Sequence, residues 1–165
     1  MSVIKVEDIS HVRFTAPDLS EMQRFLEEFG LSPFYDGEGT LYARGAGTAP
    51  YVHATAQGDP GFAAIGFRAA SAGDLERLAE AEGLQIQPHA APGGGFVLQL
   101  KDLDGYTVEV VAGQTPSAPL PVPPEGSRNT AQSKMRPRKT VRLSSGPSHV
   151  VRLRHAVLAV SDFRA

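Results

Sequence analysis

The spacing of hydrophobic positions predicts two successive copies of one β-α-β-β-β unit. Residues 11–31 and 64–84 match at a constant offset of 53 without a gap, so that Phe14 corresponds to Phe67. A repeat of about 50 residues is typical of one supersecondary unit that is used more than once. A third copy begins at residues 155–163, at an offset of 144 from the first. The sequence therefore predicts two complete units and the start of a third.

The first unit begins with a strand and a helix. Alternating and β-branched residues predict a strand over 9–15. Asp18 with Glu21 three residues later is typical of a helix start, and Gly30 is typical of a helix end. Apolar side chains recur between them at helical spacing, namely Leu19, Met22, Phe25, Leu26 and Phe29. Turn-rich stretches then separate three short predicted strands, at 33–36, 40–44 and 50–55.

The second unit repeats this order. A strand is predicted over 62–69, Ser71 with Asp74 caps the following helix, and Gly83 ends it. Three strands are expected next, at 84–88, 95–101 and 106–112, with turns at 92–95 and 102–105. The glycines of the first turn serve a tight connection between strands and not a phosphate loop, because a helix does not follow them. The fold class is α+β, with two paired units.

Residues 114–148 differ in composition from the units on either side. Five prolines lie between Thr115 and Glu125, which favours extended chain. Basic residues follow with no acidic residue among them, namely Arg128, Lys134, Arg136, Arg138, Lys139 and Arg142. We interpret this stretch as a linker. A strand is predicted over 150–160, and a third helix is expected to begin at Ser161 and Asp162.

These elements predict three segments. Residues 1–113 form one domain made of units 7–56 and 61–113. Residues 114–148 form the Pro-rich and then basic linker. Residues 149–165 form the opening strand of a second domain that is truncated in this chain.

Charge and composition exclude several classes of protein. Residues 1–125 carry 7 basic and 17 acidic residues, a net charge of −10, whereas residues 126–165 carry 9 basic residues and 1 acidic residue, a net charge of +8. The basic part lacks interleaved aromatic residues, so we expect it to dock on the acidic domain and not on nucleic acid. The chain has no cysteine, which excludes disulfides and thiolate sites. No apolar run approaches the roughly 20 residues of a membrane span, and the expected location is cytoplasmic.

The paired units resemble the vicinal oxygen chelate superfamily, which includes glyoxalase I, bleomycin-resistance proteins and extradiol ring-cleavage dioxygenases. The resemblance is carried by the opening strands ISHVRFTAPDL and LRHAVLAVSDF and by the closing strand DLDGYTVEVV. The stretch PGGGFVLQLKDLDGYTVEVV, followed by a Pro-rich and basic linker, is most similar to two-domain dioxygenases of the catechol 2,3-dioxygenase type. The resemblance implies two units whose curved mixed sheet forms a cup.

In that family iron(II) binds in the cup of the second domain through two His and one Glu, and the first domain keeps the fold without a metal. By resemblance, His155 is at the first ligand position of the second domain, whose other ligands are absent from this chain. His11 and Glu109 are at the ligand positions of the first domain. Ala64 is at the third position. A fourth position, which glyoxalase-like members use, falls near Ala54, and His53 next to it points to the opposite face.

Two ligands out of three make a poor metal site, so we expect no metal to be bound by this chain alone. His11 and Glu109 are then a hydrogen-bonded relic, paired with Arg13, with Arg44 or with each other. A homodimer that brings two copies of these side chains together remains an alternative. We interpret His89 and His149 as surface residues.

Three functions follow. The chain is part of an extradiol-type, iron(II)-dependent dioxygenase that is incomplete for catalysis and completed by a second domain. Alternatively, it is a metal-free module that binds a small aromatic or apolar molecule in its cup, as bleomycin-resistance proteins do. The third alternative is a truncated product whose first domain folds but has no activity of its own.

Overall fold

The computed structural model describes residues 2–123, 131 and 146–162. Over these residues the order β-α-β-β-β occurs twice. The first unit consists of β1 (Val6–Ala16), α1 (Leu19–Phe29), β2 (Ser32–Tyr35), β3 (Leu41–Arg44) and β4 (His53–Gln57). The second consists of β5 (Gly61–Ala69), α2 (Ala72–Glu82), β6 (Gln87–Pro88), β7 (Phe96–Lys101) and β8 (Thr107–Ala112). The predicted order of elements is confirmed, although β4 and β6 are shorter than expected.

Both helices begin and end where the sequence predicts. The Asp18 carboxylate accepts hydrogen bonds from the backbone N–H groups of Ser20 and Glu21, and the Ser71 hydroxyl accepts one from Asp74. These bonds satisfy N–H groups that have no partner within a helix. Gly30 and Gly83 end the two helices in the left-handed conformation, which glycine adopts at little cost.

The strands form one mixed, curved sheet with the order β2-β3-β4-β1-β5-β8-β7-β6. The two opening strands, β1 and β5, are antiparallel neighbours at its centre. Each opening strand pairs in parallel with the closing strand of its own unit, β4 or β8. The units are therefore related by an approximate twofold axis between β1 and β5, and the centre of the sheet belongs equally to both.

The helices cover one face of this sheet. Leu26 of α1 packs on Leu41 and Ala43, and the buried face of α2 packs on Leu98 and Val110. Side chains alternate between the two faces of a strand, so neighbours of these core residues point to the other face. That other face is the inside of the cup. No helix among the described residues is long and apolar enough to cross a membrane.

The strand expected over 150–160 is not formed. Val150 O accepts a hydrogen bond from Ala46 N at 2.8 Å, and Val151 O accepts one from Gly47 N at 3.0 Å. The segment otherwise pairs with neither edge of the described sheet, and a strand requires a continuous ladder to a neighbour. The basic side chains 128–142 and the helix expected after Asp162 lie outside the described residues.

Candidate functional site

Four side chains meet in a hydrogen-bonded network on the cup face. His11 Nε2 donates to Glu109 Oε2 at 2.8 Å. Arg13 and Gln99 both donate to the other carboxylate oxygen, Oε1, at 2.6 Å and 3.0 Å. His11 is 0% exposed and Glu109 is 1% exposed, so their interaction is shielded from water. The predicted pairing of His11, Arg13 and Glu109 is therefore observed, and both oxygens of the buried carboxylate are engaged.

The sheet register brings these side chains together. His11 pairs with Gly66 across β1 and β5, and Gly66 pairs with Glu109 across β5 and β8. The imidazole reaches Glu109 by lying over Gly66, where a Cβ atom would come within 2.2 Å of His11 Cε1. Glycine is needed at this position because any side chain would displace the ring.

A second set of groups holds the other side of the imidazole. His11 Nδ1 lies 3.1 Å from Ser10 Oγ, which in turn lies 3.4 Å from the side-chain amide of Gln114. With the amide turned so that Nε2 faces Ser10, Gln114 donates to Ser10, and the hydroxyl is free to donate to His11 Nδ1. This orientation also satisfies Gln114 Nε2, which otherwise has no partner among the described residues.

The pKa of Glu109 reflects this network. Burial alone would raise the pKa, but the hydrogen bond from His11 and the positive charge of Arg13 outweigh it and lower it to about 2. The carboxylate is therefore ionised at neutral pH. A carboxylate that is buried in this way requires compensating donors, and the three neighbouring side chains provide them.

His89 belongs to the site, and the prediction of a surface residue is wrong. The side chain is half-buried, and its Nε2 forms a hydrogen bond with the Tyr51 hydroxyl at 2.8 Å. The Tyr51 ring lies against His11, with 4.8 Å between ring centroids. Burial, and then the neighbouring His11, lower the pKa of His89. The loop after β6 folds back over the cup, which local sequence could not indicate. His149 is exposed, as expected.

Arg44 takes no part in the network. Its guanidinium donates to the backbone carbonyls of Gly47 and Ala118, at 3.1 Å and 2.6 Å. Arg44 therefore ties the start of the Pro-rich segment to the first unit. The alternative in which Arg44 pairs with His11 or Glu109 is wrong.

The approximate twofold axis shows which residues of the network the two alanines, Ala54 and Ala64, correspond to. Arg13 pairs with Ala54 across β1 and β4, as Gly66 pairs with Glu109 across β5 and β8. Because Arg13 and Gly66 correspond in the two units, Ala54 is the counterpart of Glu109. In the same way, Ala64 is the counterpart of His11. Each unit supplies only part of a polar site, and the alanines leave space on both sides of it.

The cup residues do not fit a metal ion. The His11 imidazole and the Arg13 guanidinium already occupy the oxygens of Glu109, and an alanine side chain offers no lone pair. Within the described part of the chain, no group of three His, Cys, Asp or Glu side chains could hold a metal. A metal would have to displace the hydrogen bonds from His11 and Arg13 to reach this carboxylate.

His155 is remote from His11 and Glu109. It is exposed and lines a cavity on the helix-covered side of the sheet, together with Phe14, Phe62 and Tyr106. Near the end of this segment, Ser161 N donates to the Asp104 carboxylate at 3.0 Å. The described residues therefore bring His11 and Glu109 together but not His155.

His53 makes stability depend on pH. It lies on the opposite face from the network, as predicted, where it is 9% exposed, stacks on Phe14 and bonds to the Thr55 hydroxyl. Burial lowers its pKa from 6.5 to about 4.

We expect acid to lower the free energy of unfolding, because the unfolded chain binds a proton at His53 near its ordinary pKa and the folded chain does not. From His53 alone we expect a loss of about 2 kcal/mol between about pH 7 and about pH 5. The lowered pKa of His89 makes acid reduce the free energy of unfolding in the same way. Protonation of Glu109 reduces it further, but only at lower pH. Urea denaturation measures this dependence, and H53Q should flatten it. An equal dependence in H53Q would contradict the assignment.

Comparison with solved structures places the fold in the vicinal oxygen chelate class. A Mn(II)-bound glyoxalase from Novosphingobium aromaticivorans matches 72% of this chain with a TM-score of 0.62 and 23% identity. The 2,3-dioxygenase LapB from a Pseudomonas species matches 70% with a TM-score of 0.61 and 20% identity. Homoprotocatechuate 2,3-dioxygenase from Brevibacterium fuscum, in complex with 3,4-dihydroxyphenylacetate, matches 72% with a TM-score of 0.60 and 22% identity.

The predicted fold is therefore confirmed. This chain covers 43% of the length of the glyoxalase, 43% of LapB and 41% of the Brevibacterium enzyme. No family model and no curated protein matches the sequence.

Proposed function

We propose that this chain provides the metal-free domain of an extradiol-type, iron(II)-dependent dioxygenase that cleaves catechol-like aromatic rings in the cytoplasm. One observation carries the proposal. Glu109, which the resemblance puts at a ligand position of this domain, has both oxygens bonded to side chains of the domain itself. The network gives the first domain a rigid centre without a metal. Iron would then bind in a second domain, for which His155 would be the first ligand.

The fold, and the share of each similar enzyme that this chain covers, support this proposal. Two of the similar structures are extradiol-type 2,3-dioxygenases, of which this chain covers less than half. A second domain would also provide partners for residues 150–160, which form no strand within the described residues. The segment that lies on the first domain here would then become the opening strand of the second.

The protein encoded by the whole reading frame around this chain tests the proposal. We expect a second pair of units that supplies another His and a Glu. We expect H155A to abolish iron retention and catechol cleavage. Its matched control, H11N, should lose stability but keep its iron.

Three results would contradict the proposal: a reading frame that ends at Ala165, iron that survives H155A, or iron that is lost only in H11N. Catechol cleavage is followed by absorbance of the ring-opened product, and iron by metal analysis after desalting.

A second candidate function is supported by the cup itself. A cavity of about 580 Å³ opens beside the network and is lined by Arg13, Tyr42, Tyr51 and His89, among others. This volume lies within the range of small-molecule sites. A metal-free binding module is therefore the alternative, and a reading frame without a second domain would favour it over the dioxygenase.

A further inference from the structure

Two cavities meet at the network. The larger one, of about 580 Å³, extends towards β2 and β3, and the smaller one, of about 410 Å³, extends towards β7 and β8. Both are lined by Arg13, Gln99 and Glu109. The larger cavity contains Ala54 and the smaller one Ala64, so each alanine opens one side of the cup. The cavities therefore flank the network on its two sides.

The larger cavity has a negative rim. Asp36 and Glu38, in the turn between β2 and β3, line it. Asp36 Oδ1 holds this turn by accepting from the backbone N–H groups of Glu38 and Thr40, each at 2.9 Å. Neither carboxylate forms an ion pair with a described residue. Burial, and then the charge of Asp36, raise the pKa of Tyr42 on the adjoining wall.

The smaller cavity is positive at its far end. Lys101 lines it, and its Nζ donates to the Thr107 hydroxyl at 2.7 Å and to the Gly105 carbonyl at 3.3 Å. Those partners are neutral, so the ammonium charge is not compensated by a described carboxylate. Arg13 stands between the cavities and is 41% exposed, with only one nitrogen bonded to Glu109. No described residue accepts from its remaining N–H groups, which are available to a ligand.

Aromatic side chains lie behind the larger cavity between these two ends. Tyr42 and Tyr51 stack edge to face, with 5.1 Å between ring centroids, and His89 bonds to the Tyr51 hydroxyl. The two tyrosines are 8% and 2% exposed, so they fix the shape of the cavity and offer little surface to a ligand. The cup therefore offers a negative end, a rigid floor and a positive end.

We propose that the cup binds a small zwitterionic molecule, with its ammonium-type group towards Asp36 and Glu38 and its carboxylate-type group towards Arg13 and Lys101. Complementary charges at both ends fix the orientation of such a ligand, whereas a ligand with one charge meets only one end. This site requires no metal and is independent of the ring-cleaving reaction, so failure of either proposal leaves the other intact.

Isothermal titration calorimetry of the purified chain at low ionic strength tests the proposal with three matched probes. These are para-aminomethylbenzoate, which carries both charges, para-methylbenzoate and para-methylbenzylamine. We expect the zwitterion to bind about fivefold more tightly than either singly charged probe, because each added charge gains a weakly screened partner.

Two variants separate the ends of the cup. K101Q should weaken both carboxylate probes by about threefold and leave the amine unchanged, and E38Q should weaken both amine probes and leave para-methylbenzoate unchanged. The exposed residues Lys5 and Glu28 lie outside both cavities, so K5Q and E28Q are controls. Absence of saturable binding, equal affinities for the three probes, or an equal effect of each variant on every probe would overturn the proposal.

Discussion

Replacement of Glu109 by alanine should cost about 3–5 kcal/mol of the free energy of unfolding, because it removes the shared acceptor of the central network. The buried His11 Nε2–H group would lose its partner, and Gln99 would lose its bond to the same carboxylate. Arg13 is 41% exposed and can be hydrated again, so most of the cost comes from His11 and the lost volume. Urea denaturation followed by circular dichroism measures the change.

A surface carboxylate provides the control. Glu7 accepts from Arg68 at 3.1 Å, and both side chains are about half exposed. E7A should cost less than about 1 kcal/mol, since water screens this pair. E109Q keeps the shape of the side chain, but it replaces one acceptor oxygen by an amide group that donates, next to the donors of His11, Arg13 and Gln99. We therefore expect E109Q to lose more unfolding free energy than E7A and less than E109A. Equal losses in E109A and E7A would show that the network does not stabilise the domain.

Replacement of Gly66 by alanine should cost about 2–4 kcal/mol, through overpacking and loss of the bond between His11 and Glu109. The three atoms nearest to the added Cβ all belong to the His11 ring, at 2.2–2.6 Å. The ring is 0% exposed and cannot move without leaving Glu109. We therefore expect G66A to act through His11 and not through the backbone. Thermal and urea denaturation measure the loss.

A double-mutant cycle tests this mechanism. In the H11A background the ring is absent, so G66A should cost about 2 kcal/mol less than in the wild type. Gly73 in α2 is the matched control, because the nearest atom to its added Cβ lies 3.8 Å away. G73A should raise stability by about 0.5–1 kcal/mol through helix propensity. Additive effects of G66A and H11A would contradict the steric explanation.

The sequence predicts most of the fold because the signals that define it are local. The caps at Asp18 and Ser71, the apolar spacing of the helices and the glycines that end them are each encoded within a few residues. The constant offset of 53 then identifies the two units. The strand predicted over 150–160 is not formed within the described residues, for the complementary reason. Its apolar pattern is typical of a strand, but a strand also requires a neighbour in the sheet.

The site is less predictable because it depends on register across several strands. The resemblance points to His11 and Glu109, and their pairing with Arg13 is one of several alternatives that the sequence allows. Gln99 belongs to the network because it pairs with Glu109 across β7 and β8. Gly66 matters because it pairs with His11 across β1 and β5. Alternation along β7 and β8 would have placed Gln99 on the cup face had the register been known. His89 lies in a loop, whose path no local pattern determines.

Metal retention by the purified chain tests the central claim most directly, namely that side chains of the domain satisfy Glu109 without a metal. The chain is reconstituted anaerobically with iron(II) or manganese(II), desalted and analysed for metal. We predict that neither metal is retained and that E109Q behaves like the wild type. Retention of one metal per chain that E109Q abolishes would contradict the claim, since the carboxylate would then be a ligand and not the centre of a closed network.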